Sequence, residues 1–214
     1  MTEKNSDNEK RIYISADYSE DDGDREVIEI LDRWGKDNLH SVNFVDTSHV
    51  VSGSVEKDPD CRPCDLKDEF NRQIKASSVV IFVIGDKTAK RIAGSICNRS
   101  NVSTSEDCQC TPYKQNRNGT QKCKVNSTVP VQGNYIGPIN RYSYIRHEFE
   151  TAKKQKKKIM ILYNSLREES QWLPSYMQEY VNSYPLLAMP FWQKNFAGEK
   201  TGNYVCFKRL LEQL

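Results

Sequence analysis

Four cysteines stand close together in a polar stretch: Cys97, the pair Cys108-Gln109-Cys110, and Cys123. Thiols gathered in a segment that cannot build a core invite a cross-link. That is a disulfide in an oxidising compartment and zinc in a reducing one. The C-x-C spacing is tighter than the C-x-x-C of common zinc sites, so a structural zinc on these four, two disulfides, and no metal all stay open. A second pair, Cys61-Arg62-Pro63-Cys64, has the spacing of a redox dithiol at a helix N-terminus, where the helix end acidifies the leading thiol. It follows a long polar loop instead of a strand, which argues against a thioredoxin-like role and leaves it able to join a metal site. None of the ten glycines forms G-x-G, and G-x-x-x-x-G-K-[ST] is absent. Any nucleotide bound here is therefore held without a glycine cradle.

The cysteine-bearing stretch, at about 92–140, is rich in Asn, Ser, Thr and Gly and has neither helical nor strand periodicity. It reads as an insertion. Its sequons at Asn98, Asn101, Asn118 and Asn126 would matter in a secreted chain. The N-terminal MTEKNSDNEK is polar and has no apolar stretch of the signal-peptide kind, so the expected compartment is the cytoplasm. No apolar run is long enough to span a bilayer, and no membrane partner is expected. Lys+Arg of 31 against Asp+Glu of 29 leaves a net charge of +2, which excludes nucleic-acid binding by bulk charge. With 214 residues and 37% apolar content, one domain with an elaboration is expected: a disordered tail over 1–10, then one fold over 11–214.

Around the insertion the elements alternate. RIYIS, residues 11–15, reads as a first strand. The acidic stretch Glu20 to Asp24 supplies caps for a helix with Val27, Ile30, Leu31 and Trp34 on one face. A second strand spans 42–45. Pro63 opens a helix with Leu66, Phe70 and Ile74 in line, and SVVIFVIG, residues 78–85, is apolar on both faces, as a central parallel strand must be. Beyond the insertion, 142–157 reads as a helix, KIMILY (158–163) as a fourth strand, 174–181 as a helix, 186–189 as a short fifth strand, and 204–214 as an amphipathic helix. This pattern predicts an α/β fold: a five-stranded parallel sheet in the flavodoxin-like order 2-1-3-4-5, with helices on both faces. A six-strand dinucleotide-binding sheet would share its early elements.

Open parallel sheets bind ligands beyond the carboxyl ends of their strands, where the strand order reverses. With that order the crevice lies between strands one and three. Its rim is Ser15, Ala16, Asp17 and Tyr18 on one side, and Gly85, Asp86, Lys87 and Thr88 on the other.

These segments resemble a family. RIYISADYSEDD is similar to the opening strand and first box of TIR domains, and VVIFVIGDKT to their third strand and following loop. YSYIRHEFETAKKQKKKIMIL resembles the helix and strand that carry the catalytic glutamate of NAD-consuming TIR domains, with Tyr144, Ile145, Arg146, His147 and Glu148 in the matching places. The likeness covers residues 11 to about 163 apart from the insertion, and is nearest to the TIR-like subunit of bacterial Thoeris antiphage systems.

The resemblance implies cleavage of the nicotinamide–ribose bond of NAD+, with Glu148 as the essential carboxylate and no cofactor for catalysis. The cationic leaving group departs neutral, so no general acid is required. A single carboxylate can stabilise the oxocarbenium-like ribose and hydrogen-bond its hydroxyls. Tyr144 and Glu148 lie at i, i+4 beside the Ile145–Phe149 stripe, so Glu148 is expected half-buried, facing the crevice. Ser15, Asp17, Tyr18, Asp46, Gly85, Thr88 and Tyr144 are the expected substrate contacts, with Tyr18 and Tyr144 able to sandwich a base and Asp46 able to reach a ribose. Partners would be NAD+, a second copy, or an effector that reads the nucleotide product. The rivals are a TIR module that only binds other TIR domains, and a nucleoside-processing transferase on a similar sheet. The run Lys153, Lys154, Lys156, Lys157 and Lys158 falls at a helix C-terminus, where cations are favourable, and reads as a solvated helix end.

Overall fold

The computed structural model describes residues 10–16, 24–36, 44–46, 62–90, 114–115, 121–122 and 143–214; for 44–46, 62–68, 114–115 and 121–122 it describes the backbone. The α/β class is present. The main sheet consists of β1 (Lys10–Ser15), β2 (Phe44–Asp46), β3 (Val79–Ile84), β4 (Lys158–Tyr163) and β5 (Ala188–Pro190), hydrogen-bonded in the order β2-β1-β3-β4-β5. All four pairings are parallel, and the register sets Ser15 against Phe82 and Ile84 against Tyr163. The arrangement is compatible with a flavodoxin-like fold. The expected insertion lies outside the described residues, save for a two-residue antiparallel pairing of 114–115 with 121–122.

Alternation along the strands divides the core into two faces. Ile12, Ile14, Val79, Ile81, Val83, Met160 and Leu162 point toward α1 (Asp24–Lys36) and α5 (Tyr204–Gln213). Tyr13, Val80, Phe82, Ile84, Ile159, Ile161 and Tyr163 point toward α2 (Arg62–Ala76), α3 (Tyr144–Lys154) and α4 (Ser175–Ser183). Each face is locked by aromatics. Trp34 meets Phe191, Tyr204 and Phe207 at 5.2–5.4 Å on the first, and Phe149 meets Phe82, Tyr176 and Tyr180 at 5.4–5.9 Å on the second.

The helix α3 has defined ends. Ser143 is its N-cap, its Oγ accepting from the Arg146 N–H at 3.0 Å. At the other end Lys156 takes φ +54°, and the Lys156 and Lys157 N–H groups donate to the Lys153 and Ala152 carbonyls, both at 2.9 Å. That is a Schellman stop with lysine in the left-handed position usually given to glycine. The lysine run has a structural use. Lys157 Nζ donates to the carbonyls of Lys75 at 2.9 Å and Ser77 at 2.6 Å, supplying a cation to the C-terminus of α2.

Two segments depart from expectation. Residues 185–187 form a 3-10 turn, because Pro185 at its first position favours a helical φ, and β5 begins only at Ala188. Where no strands were expected, β6 (Trp192–Lys194) and β7 (Lys200–Gly202) form an antiparallel hairpin. Its turn is closed by Asn195, whose Oδ1 accepts from the Ala197 and Glu199 N–H groups, with Gly198 at φ +82°.

Candidate active site

Ser15 ends β1, and Tyr13 lies two residues earlier on the same face of the strand. Both are 1% exposed. Glu148 sits in the second turn of α3, 4% exposed, and its carboxylate is held between them. Tyr13 OH donates to Oε1 at 2.9 Å, and Ser15 Oγ donates to Oε2. The expectation of a half-buried Glu148 is therefore corrected. Periodicity finds the inward face of a helix, whereas the depth of burial depends on what packs over it. Here that is β1, more than a hundred residues away in sequence.

Burial pushes the Glu148 carboxyl up to about 7, while the hydroxyls of Ser15 and Tyr13 pull the other way by stabilising the anion. A group poised near neutrality can act as base, anion or proton acceptor under ordinary conditions. Tyr176 of α4 borders the same charge. Burial raises its phenol to about 12, opposed by the neighbouring Ser143 and by Arg146, whose guanidinium lies 5.3 Å above the ring, and reinforced by Glu148 and Glu150.

A polar joint fixes the helix that carries this carboxylate. Asn71 Oδ1 of α2 accepts from Thr151 Oγ1 and from His147 Nε2, both at 2.9 Å, which requires the proton on Nε2 of the imidazole. All three side chains are buried. With two anchors one turn apart, α3 cannot rotate about its axis without breaking buried hydrogen bonds.

Gly85 and Thr88 form the turn after β3. The Gly85 N–H donates to Thr88 Oγ1 at 2.8 Å, and the Thr88 N–H returns to the Gly85 carbonyl at 3.2 Å. A Cβ on Gly85 would meet Asp24 Oδ1 at 2.9 Å. Asp24, 1% exposed at the start of α1, accepts from Asn164 Nδ2 at 2.9 Å, and Asn164 Oδ1 accepts from Trp192 Nε1 at 2.6 Å. Asp24, Asn164 and Trp192 thus join the ends of α1, β3, β4 and the hairpin.

Of the other expected contacts, Tyr144 opens α3 with its ring edge-on to Phe70 at 5.8 Å. Asp46 ends β2 opposite Ile12. Asp17 and Tyr18, Cys61 of the C-x-x-C pair, and Cys97, Cys108, Cys110 and Cys123 all lie outside the described residues. Among the described residues no group of three or more His, Cys, Asp or Glu could hold a metal, and no helix is long and apolar enough to cross a membrane. Sequence reasoning missed Tyr13, whose signal was its place two residues before Ser15 on one strand face. Asp24 was seen only as one of several acidic cap candidates. A cavity of about 430 Å³ lies elsewhere, between β5 and α5, lined by Leu186, Ala188, Met189, Cys206, Arg209 and Leu210 among others.

Comparison of the chain with family models, with curated proteins and with solved structures finds no match.

Proposed function

We propose that the chain is a TIR-like enzyme that cleaves the nicotinamide–ribose bond of NAD+, with Glu148 as the essential carboxylate. One observation carries this reading. A buried glutamate, poised near neutrality, is held by two hydroxyls from the carboxyl-terminal half of β1, beside the point where the strand order reverses.

In the reaction the C1′–N bond breaks with its electron pair passing to the pyridinium nitrogen, which leaves as neutral nicotinamide. The ionised Glu148 stabilises the cation left on the ribose. Water then adds at C1′, or an internal nucleophile closes a cyclic product, and its proton passes to Glu148 or to solvent. In this reading Ser15, Gly85, Thr88, Tyr144 and Asp46 would meet the dinucleotide, together with Asp17 and Tyr18, which lie outside the described residues. The fold in this reading is the TIR variant of the flavodoxin-like sheet, with a cysteine-bearing insertion after β3. Its setting would be antiphage signalling, in which an effector reads the ADP-ribose-derived product. The zinc reading of Cys97, Cys108, Cys110 and Cys123 belongs to the same proposal. Metal analysis of protein purified without chelator decides it, and the absence of stoichiometric zinc ends it.

The deciding experiment follows nicotinamide release from NAD+ by the purified chain and by Glu148→Gln, with product mass spectrometry. Release by the wild type that falls roughly 10³-fold in the variant is the expected result. Equal release by both removes Glu148 from the chemistry.

A further inference from the structure

Glu148 has a hydroxyl on each carboxylate oxygen, but the two hydroxyls differ in how they are held. Tyr13 stands in the middle of β1, paired with Val80, its ring 6.4 Å from Phe70 and packed into the α2–α3–α4 face of the core. Moving its hydroxyl means unpacking the ring. Ser15 is the final residue of β1, and its Oγ leaves Oε2 by rotation about one side-chain bond. A ribose hydroxyl donates to a carboxylate as a serine does, so the exchange keeps a donor on each oxygen of Glu148.

We propose that Tyr13 is a positioning residue that fixes Glu148 through Oε1, and that Ser15 is an exchangeable partner whose place on Oε2 is taken by a ribose hydroxyl of the substrate. The inference rests on the NAD+-cleaving reading for the identity of the incoming hydroxyl. The clamp itself rests on geometry alone. Among the described residues, the other titratable groups on the elements beside the carboxylate include Tyr176 of α4 and Arg146, His147 and Glu150 of α3, with Glu69 of α2 paired to Arg72. Among the described residues Tyr13 and Ser15 donate to Glu148, and the variants below change these two hydroxyls one at a time.

The test titrates the Glu148 side-chain carboxyl by ¹³C NMR, assigned by Glu148→Gln, in the wild type, Tyr13→Phe, Ser15→Ala and Ser15→Thr, with and without ADP-ribose. Tyr13→Phe keeps the ring and the packing. Both deletions raise the midpoint by about one pH unit in the free protein, because each removes a donor to the anion. Ser15→Thr, which keeps a hydroxyl, restores the wild-type midpoint. Saturating ADP-ribose returns Ser15→Ala to the liganded wild-type value and leaves Tyr13→Phe displaced. In turnover, Tyr13→Phe lowers kcat about tenfold to a hundredfold with little change in KM. Ser15→Ala lowers KM about threefold, since the competing hydroxyl is gone. An unmoved midpoint in Tyr13→Phe overturns the clamp, and a Ser15→Ala midpoint that ADP-ribose leaves displaced overturns the exchange. Absence of NAD+ cleavage with the free-protein shifts as stated defeats the enzymatic reading and leaves the clamp standing.

Discussion

Asp24 and Glu148 are both carboxylates shut away from water near the carboxyl ends of the same strands, yet their surroundings are opposites. Asp24 begins α1, where unpaired backbone N–H groups and the helix dipole favour negative charge, and an amide of Asn164 donates to it. Glu148 lies one turn inside α3, where the backbone N–H groups are already committed to the helix, and two neutral hydroxyls are its partners. The first charge is compensated by architecture and acts as a brace. The second is left under-compensated, which costs stability and makes its proton available near neutral pH.

The sharpest way to break this comparison is to remove each charge in turn. Glu148→Gln should lower nicotinamide release roughly 10³-fold while leaving a folded protein. Asp24→Ala should do the reverse in kind, lowering stability by about 2–3 kcal/mol in urea unfolding, because it strands the Asn164 amide.

The next largest effect is in the pH dependence of stability. A carboxyl raised from 4.5 to about 7 in the folded state holds its proton more tightly there than in the unfolded chain. Its contribution is greatest at low pH, declines as pH rises from 4.5 through 7, and is flat above that. The total decline is about 3 kcal/mol. Glu148→Gln should flatten this part of the profile and melt higher than the wild type at pH 8, as thermal unfolding at pH 5 and pH 8 would show. Asp24→Ala should leave that part of the slope in place.

Smaller effects test the brace. Gly85→Ala drives a methyl against the Asp24 carboxylate and should cost about 1–3 kcal/mol, read as a lowered urea midpoint. Trp192→Phe removes one donor from Asn164 and should cost about 1 kcal/mol, with the pH slope unchanged.

The elements that periodicity governs were legible in the sequence. The run 78–85 announces a doubly covered strand, and Val27, Ile30, Leu31 and Trp34 announce the inward face of α1, with Ile30 partly buried at its edge and Ile28 buried in its place. Glu148 could be placed on its helix and assigned a role by resemblance. What holds it could not, because Tyr13 and Ser15 meet it across 135 and 133 residues, and such pairing leaves no local pattern. The Asp24–Asn164–Trp192 chain was hidden for the same reason. The hairpin at 192–202 was missed because its strands are three residues each, too short for alternation to register.

The arrangement of the helices also sets an order of completion during synthesis. The face over α2, α3 and α4 has all its helices once residue 183 has been made, and β5 adds only Ala188. The face over α1 waits for α5, whose Phe207, Leu210 and Leu211 fill it, while Lys10 Nζ on β1 reaches the Leu211 carbonyl. On the ribosome, then, the side bearing Glu148 can close first. The nascent chain meanwhile carries α1 with an open flank of Val27, Leu31 and Trp34, the surface that a chaperone would meet before α5 arrives.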